Sequence, residues 1–122
     1  MSDVDVVNAS AAAYRTQDRA AAERLFAPDF VFTSPQDDHI DRATWFDVCF
    51  PTADRFVSHQ LLEIVSTPTG VISLYEYELQ NGERYRNTEL ARLRDGQIVE
   101  VQVFFGGQVN SAGANSGQVN SV

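Results

Sequence analysis

Residues 84–105 read RYRNTELARLRDGQIVEVQVFF, two runs of extended character that meet at Asp95-Gly96. In the second run Val99, Val101, Val103 and Phe105 fall on one side of an extended chain, and Glu100, Gln102 and Phe104 on the other. An Asp-Gly pair between such runs is a hairpin signal, because both positions of the tight turn need a positive φ. The stretch therefore predicts two antiparallel strands, 84–94 and 97–105, with one dry face and one mixed face.

The same pattern extends upstream. Runs 56–65 and 71–79 are joined by Pro68-Thr69-Gly70, and Asn81-Gly82 leads from the second of them into residue 84. Four strands with short links make an antiparallel meander. The chain before residue 56 has a different period. Val4, Val7, Ala11 and Tyr14 recur at helical spacing over 3–16, with Asp3 and Asp5 at the end where a helix dipole favours anions. Asp18 is placed to cap a second helix through Ala22, Leu25 and Phe26, stopped by Pro28. Phe30–Thr33 reads as a strand closed at Ser34-Pro35, and QDDHI as a polar loop. Asp41 is placed to cap a third helix, RATWFDVCF, which Pro51 ends. Three helices followed by a mostly antiparallel sheet make an α+β fold.

A chain of 122 residues, 43% of them hydrophobic, has room for one core. We place the domain at residues 1–106. The stretch 107–122 is uncharged and repeats GQVNS at 107–111 and 117–121, and it reads as a flexible tail. The formal charge of −8 repels phosphate backbones and anionic surfaces, so neither nucleic acid nor membrane is an expected partner. The chain has no run approaching a membrane span and opens MSDVDVV, unlike a secretory signal, so a soluble cytoplasmic protein is expected. All nine cations are arginine, which excludes Schiff-base lysine chemistry and a Walker-type phosphate lysine. One cysteine and two histidines are too few for the common zinc sites, and no metal or cofactor is expected.

The order of elements resembles the nuclear transport factor 2-like superfamily, in particular its SnoaL-like branch, over roughly residues 5–106. DRAAAERLFAPDFVFTSP, DDHIDRATWF and RDGQIVEVQVFFG carry the resemblance. It implies a cone in which a strongly curved sheet wraps round the helices and encloses a deep, mostly apolar pocket, with a homodimer through the outer sheet face. Val99, Val101, Val103 and Phe105 are then expected to line the cavity. The superfamily includes isomerases, polyketide cyclases, epoxide hydrolases, dehydratases and non-catalytic binding modules, so the site has to be argued separately. Ketosteroid isomerase, one of its members, uses an aspartate base with a tyrosine and a protonated aspartic acid as oxyanion holders. Matched by motif, the base falls on Ser34, the tyrosine on Ser10 and the acid on Glu89; Tyr14 lies one helical turn beyond Ser10.

Three groups are candidates for acid/base work: Glu89, Asp38 and His39. Desolvation in a strand interior would raise the pKa of Glu89; alternatively strand parity puts it toward solvent, or Arg86 or Arg92 pairs with it. Asp38 and His39 lie in the densest titratable run, where a carboxylate tunes an imidazole; Asp37 and Asp41 read as a turn residue and a helix cap. An epoxide-hydrolase arrangement needs Asp38, Glu89 and Arg86 around one water, although positions 86 and 89 face opposite sides unless a bulge intervenes. Cys49 with His39 is a further pairing, and His59 is either a pocket group or an outer-face residue. Candidates for the pocket wall are Tyr14, Ser34, Trp45, Cys49, Tyr75, Tyr77, Val101, Val103 and Phe105, aromatics at such spacing being otherwise ordinary core. The expected function is isomerase, cyclase or hydratase chemistry on a small apolar ketone or polyketide-like molecule; the alternative is a non-catalytic ligand-binding or dimeric interaction module.

Overall fold

Ser2 opens the fold by closing a capping box with Asp5, its hydroxyl accepting from the Asp5 N–H at 3.1 Å and its own N–H donating to the Asp5 carboxylate at 3.1 Å. The computed structural model describes residues 1–109. Helix α1 spans Asp3–Thr16 and stops at Gln17, whose φ of 56° is left-handed. Asp18 accepts from the Ala21 N–H and starts α2, Arg19–Leu25. That helix ends one residue earlier than its apolar stripe predicts, because Phe26 is already extended and begins β1, Phe26–Thr33. Pro28 therefore lies inside a strand. It is tolerated because the pairing of β1 with the last strand is interrupted between Phe26 and Val31, where no ladder donor is required.

A two-residue strand, β2 (Ile40–Asp41), pairs with β1 in what the sequence suggests is plain loop. Asp41 also caps α3, Arg42–Val48, by accepting from the Thr44 N–H at 2.9 Å. A tight 3-10 turn over Phe50–Arg55 replaces the end of the expected third helix, with Pro51 in its first turn. Four long strands follow: β3 (Phe56–Thr67), β4 (Gly70–Leu79), β5 (Arg84–Arg94) and β6 (Gln97–Val109). The open sheet has the order β2-β1-β6-β5-β4-β3. Every neighbouring pair is antiparallel except β1 with β6. The expected α+β architecture, three helices against a curved, mostly antiparallel sheet, is what the chain adopts. Among the described residues no helix is long and apolar enough to cross a membrane.

Curvature has local causes. The β3–β4 register shifts between Phe56 and Ser58 and again between Leu61 and Glu63, and the β5–β6 register shifts between Tyr85 and Asn87 and between Arg92 and Leu93. Each extra residue bends its strand and increases the twist. The shift at Arg92/Leu93 corrects one expectation: Ile98, 1% exposed, turns into the core in place of Val99, which does not reach the cavity. The last strand also runs on to Val109, pairing Val109 with Arg84 and Gln108 with Tyr85, so residues 107–109 are strand and not tail. The rest of the expected tail lies outside the described residues.

The core is aromatic and centres on α3 and the turn that follows it. Phe46, 1% exposed, has Trp45, Phe50 and Phe26 at ring-centre distances of 5.0, 5.4 and 5.9 Å. The guanidinium groups of Arg19 and Arg42 lie over the same ring at 4.9 and 5.0 Å and shield it from water. On the outer face Glu76 receives both Arg84 and Arg86, Arg92 approaches Glu100 at 3.6 Å, and Phe104 stays about half exposed. The mixed character expected for that face is present. Phe46→Ala should remove about 3–5 kcal/mol of stability, as for other buried aromatic truncations, read from urea unfolding followed by Trp45 fluorescence.

Candidate functional site

Strand parity delivers a continuous inner face. Ser73, Tyr75 and Tyr77 on β4, Asn87 and Glu89 on β5, and Val101, Val103 and Phe105 on β6 all point toward the helices. Between them and the helices lies a cavity of about 710 Å³, within the range that holds small organic ligands. Tyr14 of α1, Trp45 of α3 and Cys49 close the opposite wall, and Ser34, Gln36, Asp37 and Arg55 reach it from the connecting segments.

Glu89 is the central group. It lies between Ser73 on β4 and Val103 on β6 in the strand register, so its carboxyl faces the cavity from the middle of the sheet. It keeps accessible surface only because it borders a void; the surrounding protein strips its carboxylate of water and raises its pKa, and the nearby Tyr75 phenol, which favours the anion, offsets this in part. Neither arginine suggested by the sequence neutralises it: Arg86 binds Glu76 at 2.8 Å and Arg92 faces Glu100, both on the outer surface.

Tyr75 is held from behind. The Asn87 side-chain amide donates to its hydroxyl at 3.3 Å, and the Gly106 N–H donates to the Asn87 carbonyl oxygen at 3.3 Å. Position 106 requires glycine, since a Cβ there would stand 2.2 Å from the Arg86 carbonyl oxygen. Burial and the Glu89 charge both push the Tyr75 phenol far above its ordinary pKa, so it stays protonated. Tyr14 is also kept neutral, chiefly by burial. Its hydroxyl lies 2.8 Å from Thr52 Oγ1, which spends its own proton on the Cys49 carbonyl at 2.6 Å, so Tyr14 is the donor.

His59 of β3 belongs to the cavity, which settles its two possible placements. Its ring stacks on Tyr75 at 4.9 Å and on Tyr77 at 6.4 Å, and meets Tyr14 and Phe56 at 6.0 and 5.4 Å. Burial, helped by the Arg15 charge, brings its pKa down to about 4, so the ring is neutral near neutrality.

Of the residues singled out from the sequence, Glu89, Tyr14, Ser34, Trp45, Cys49, Tyr75, Tyr77, Val101, Val103 and Phe105 border the cavity. Asp38 and His39 do not, and their expected catalytic placement is corrected. Ser34 and Asp37 exchange backbone hydrogen bonds of 2.8 and 3.2 Å, a turn that brings Asp37 to the cavity and sends its two successors outward. Asp38 and His39 pair with each other at 2.6 Å with side chains 91% and 67% exposed, and His39 has a left-handed φ of 51°. The water-bridging set of Asp38, Glu89 and Arg86 is consequently not assembled. Cys49 has no histidine partner in His39 either, and burial pushes its thiol up to about 11, which leaves it un-ionised. Asn87 escaped the sequence reading, although it lies two positions before Glu89 and shares its face.

Comparison with known proteins gives a consistent family. The SnoaL-like domain profile matches residues 7–101. A protein with a cystatin-like fold from Xanthomonas campestris superposes with a TM-score of 0.75 at 22% identity, covering 88% of this chain and 93% of that one. IdmH, a putative polyketide cyclase from Streptomyces antibioticus, gives 0.67 at 24% identity over 86% and 92%. AclR, a putative hydroxylase from Streptomyces galilaeus, gives 0.67 at 19% identity over 85% and 74%. Likeness at these identities concerns the fold. No curated protein sequence matches the chain.

The environment of Glu89 has a measurable consequence. Its folded pKa is raised, so the folded state holds a proton that the unfolded state releases, and its contribution to stability is lost as pH rises through the folded pKa. Glu89→Gln should therefore melt progressively higher than the parent as pH is raised above the ordinary carboxyl range, by thermal denaturation. His59 acts in the opposite sense: its lowered pKa costs stability as pH falls from about 6.5 toward about 4.

Proposed function

The chain belongs to the SnoaL-like domain family, and from that premise we propose a cofactor-independent acid/base enzyme that moves a proton on a small apolar ring ketone or polyketide-like molecule, with Glu89 as the base. The observation that carries this reading is a carboxyl, raised in pKa and unpaired with any arginine, facing an apolar cavity beside a fixed phenol. A carboxylate in a dry cavity is a stronger base than in water, which narrows the gap to a carbon acid. A ketone seated against Val101, Val103 and Trp45 would lose its α proton to Glu89. The C–H electron pair then becomes the new C=C bond, and negative charge develops on the carbonyl oxygen. Returning the proton to a different carbon isomerises the substrate; attack by the enolate carbon on a second carbonyl closes a ring. Such a step is compatible with the polyketide cyclase activity ascribed to IdmH.

The hydrogen bonds from Gly106 through Asn87 to Tyr75 give the phenol a fixed orientation beside the base. Tyr14 and Ser10 play no donor role, since Tyr14 is committed to Thr52 and Ser10 donates to the Val7 carbonyl at 2.8 Å. The Ser34 hydroxyl is likewise committed, accepting from the Gln36 and Asp37 N–H groups and donating toward the Asp37 carboxylate at 3.5 Å. These serines, at the positions where the isomerase resemblance places a tyrosine and an aspartate, favour the second reading, a module that binds the same ligand without reaction.

The two readings part in one experiment. The protein is incubated in D2O with 1-tetralone, a bicyclic ketone with exchangeable α hydrogens, and deuterium uptake is followed by NMR. The enzyme reading expects protein-dependent exchange that Glu89→Gln lowers by about 10²- to 10⁴-fold, the usual worth of a positioned base. Asp38→Asn and His39→Asn should leave the rate unchanged. Binding of tetralone without exchange would establish the module.

A further inference from the structure

His59 is not used in that proton transfer, yet it is among the most constrained side chains of the cavity. Four rings hold it: Tyr75 and Tyr77 stacked, Tyr14 and Phe56 at an angle. Its Nδ1 is enclosed by protein and has no hydrogen-bond partner. A buried N–H without an acceptor is rare in folded proteins, and a neutral imidazole has a single proton to place. The proton therefore belongs on Nε2, the nitrogen that is not so enclosed, and the ring becomes a donor with a fixed direction. Among the phenols of the cavity the protons are mostly spent: Tyr14 donates to Thr52, Tyr85 to Glu83 at 2.8 Å, and Tyr75 lies against Glu89. Tyr77, in register with His59 on the neighbouring strand, is the remaining phenol.

We propose that His59, through Nε2–H, donates a hydrogen bond to the oxygen of a carbonyl ligand in the cavity, so that the site selects an oxygenated ring over a hydrocarbon of the same shape. This rests on the reading of the cavity as the site of a small ketone. Neutrality suits a donor in this position, because a ring whose pKa is lowered by burial and the Arg15 charge donates without carrying a cation into an apolar space. His59 is then an electrophilic group on the same inner sheet face as the base, with Tyr75 between the two, holding the oxygen on which charge develops as Glu89 takes the α proton.

Three measurements test it. The His39→Asn variant keeps a single imidazole, and its ¹⁵N ring spectrum at neutral pH should show a neutral ring protonated on Nε2; a proton on Nδ1, or an imidazolium, overturns the proposal. Calorimetric titrations with 1-tetralone and tetralin, which share a skeleton and differ by the carbonyl oxygen, give a preference ratio. His59→Phe should lower that ratio about three- to tenfold, the worth of one neutral hydrogen bond, while tetralin affinity holds. His59→Gln, which keeps an N–H donor, should restore part of it, and Tyr77→Phe should leave it unchanged. An unchanged ratio in His59→Phe, or loss of the ratio in Tyr77→Phe instead, overturns the proposal. Deuterium exchange separates the two claims. If wild-type protein prefers tetralone through His59 but exchanges no deuterium, the base role of Glu89 fails alone. If Glu89→Gln stops exchange while His59→Phe alters neither ratio nor rate, His59 fails alone. Failure of both compounds to bind removes both.

Discussion

A sheet that covers three helices and still leaves a cavity has to bend, and the bend is the condition on which the rest of the molecule depends. It is produced where strands carry an extra residue: Leu61/Glu63 on the β3–β4 pair and Tyr85/Asn87 on the β5–β6 pair. A flat sheet of the same strands would collapse onto α1 and α3, and Glu89 would meet Tyr14 or Trp45 directly instead of a void. Backbone approach within the sheet is also tight. Gly70 and Gly106 each have a carbonyl oxygen 2.2 Å from where a Cβ would stand, Ala91 for one and Arg86 for the other. The second of these contacts lies at a bend that also orients Asn87, so sheet shape and site geometry are one feature.

The electrostatics follow from the same shape. Parity sends the charges of β5 to opposite sides, Arg86 and Arg92 outward to Glu76 and Glu100, and Glu89 alone inward. Each of those outer charges is thereby compensated by a neighbour in water, where such pairs contribute little to stability. The inner charge is compensated by nothing stronger than a phenol. A carboxyl left in that condition is a cost to the fold, and a group poised to accept a proton.

The sequence made the sheet legible because alternation survives translation into three dimensions. Val101, Val103 and Phe105 reach the cavity, and Glu89 shares their face across the register. Val99 breaks the series because a bulge at Arg92/Leu93 exchanges its place with Ile98, and a bulge leaves no mark in composition. The titratable loop misleads for a different reason. Density of ionisable groups in Asp37-Asp38-His39 is a surface property as often as a site property, and only the hydrogen bonds of the Ser34 turn determine which of the three faces inward. His59 was undecidable by parity, since the β3 register is shifted on either side of it, at Phe56/Ser58 and at Leu61/Glu63. Asn87 needed only the face of Glu89 to be taken seriously.

The single parallel pair in the sheet bears on how the chain is made. β1 finds its neighbour in β6, about seventy residues later in the chain, a non-local pairing of the kind that slows folding. Phe30 and Phe32 therefore leave the ribosome long before the strand that will flank them exists. The meander β3–β4–β5 can form by local hairpins in the meantime, but the cone is not complete until Val101 has been synthesised. During synthesis, then, the apolar N-terminal half waits on the C-terminal strand, and a stalled or truncated chain would expose the surface on which the finished protein builds its core.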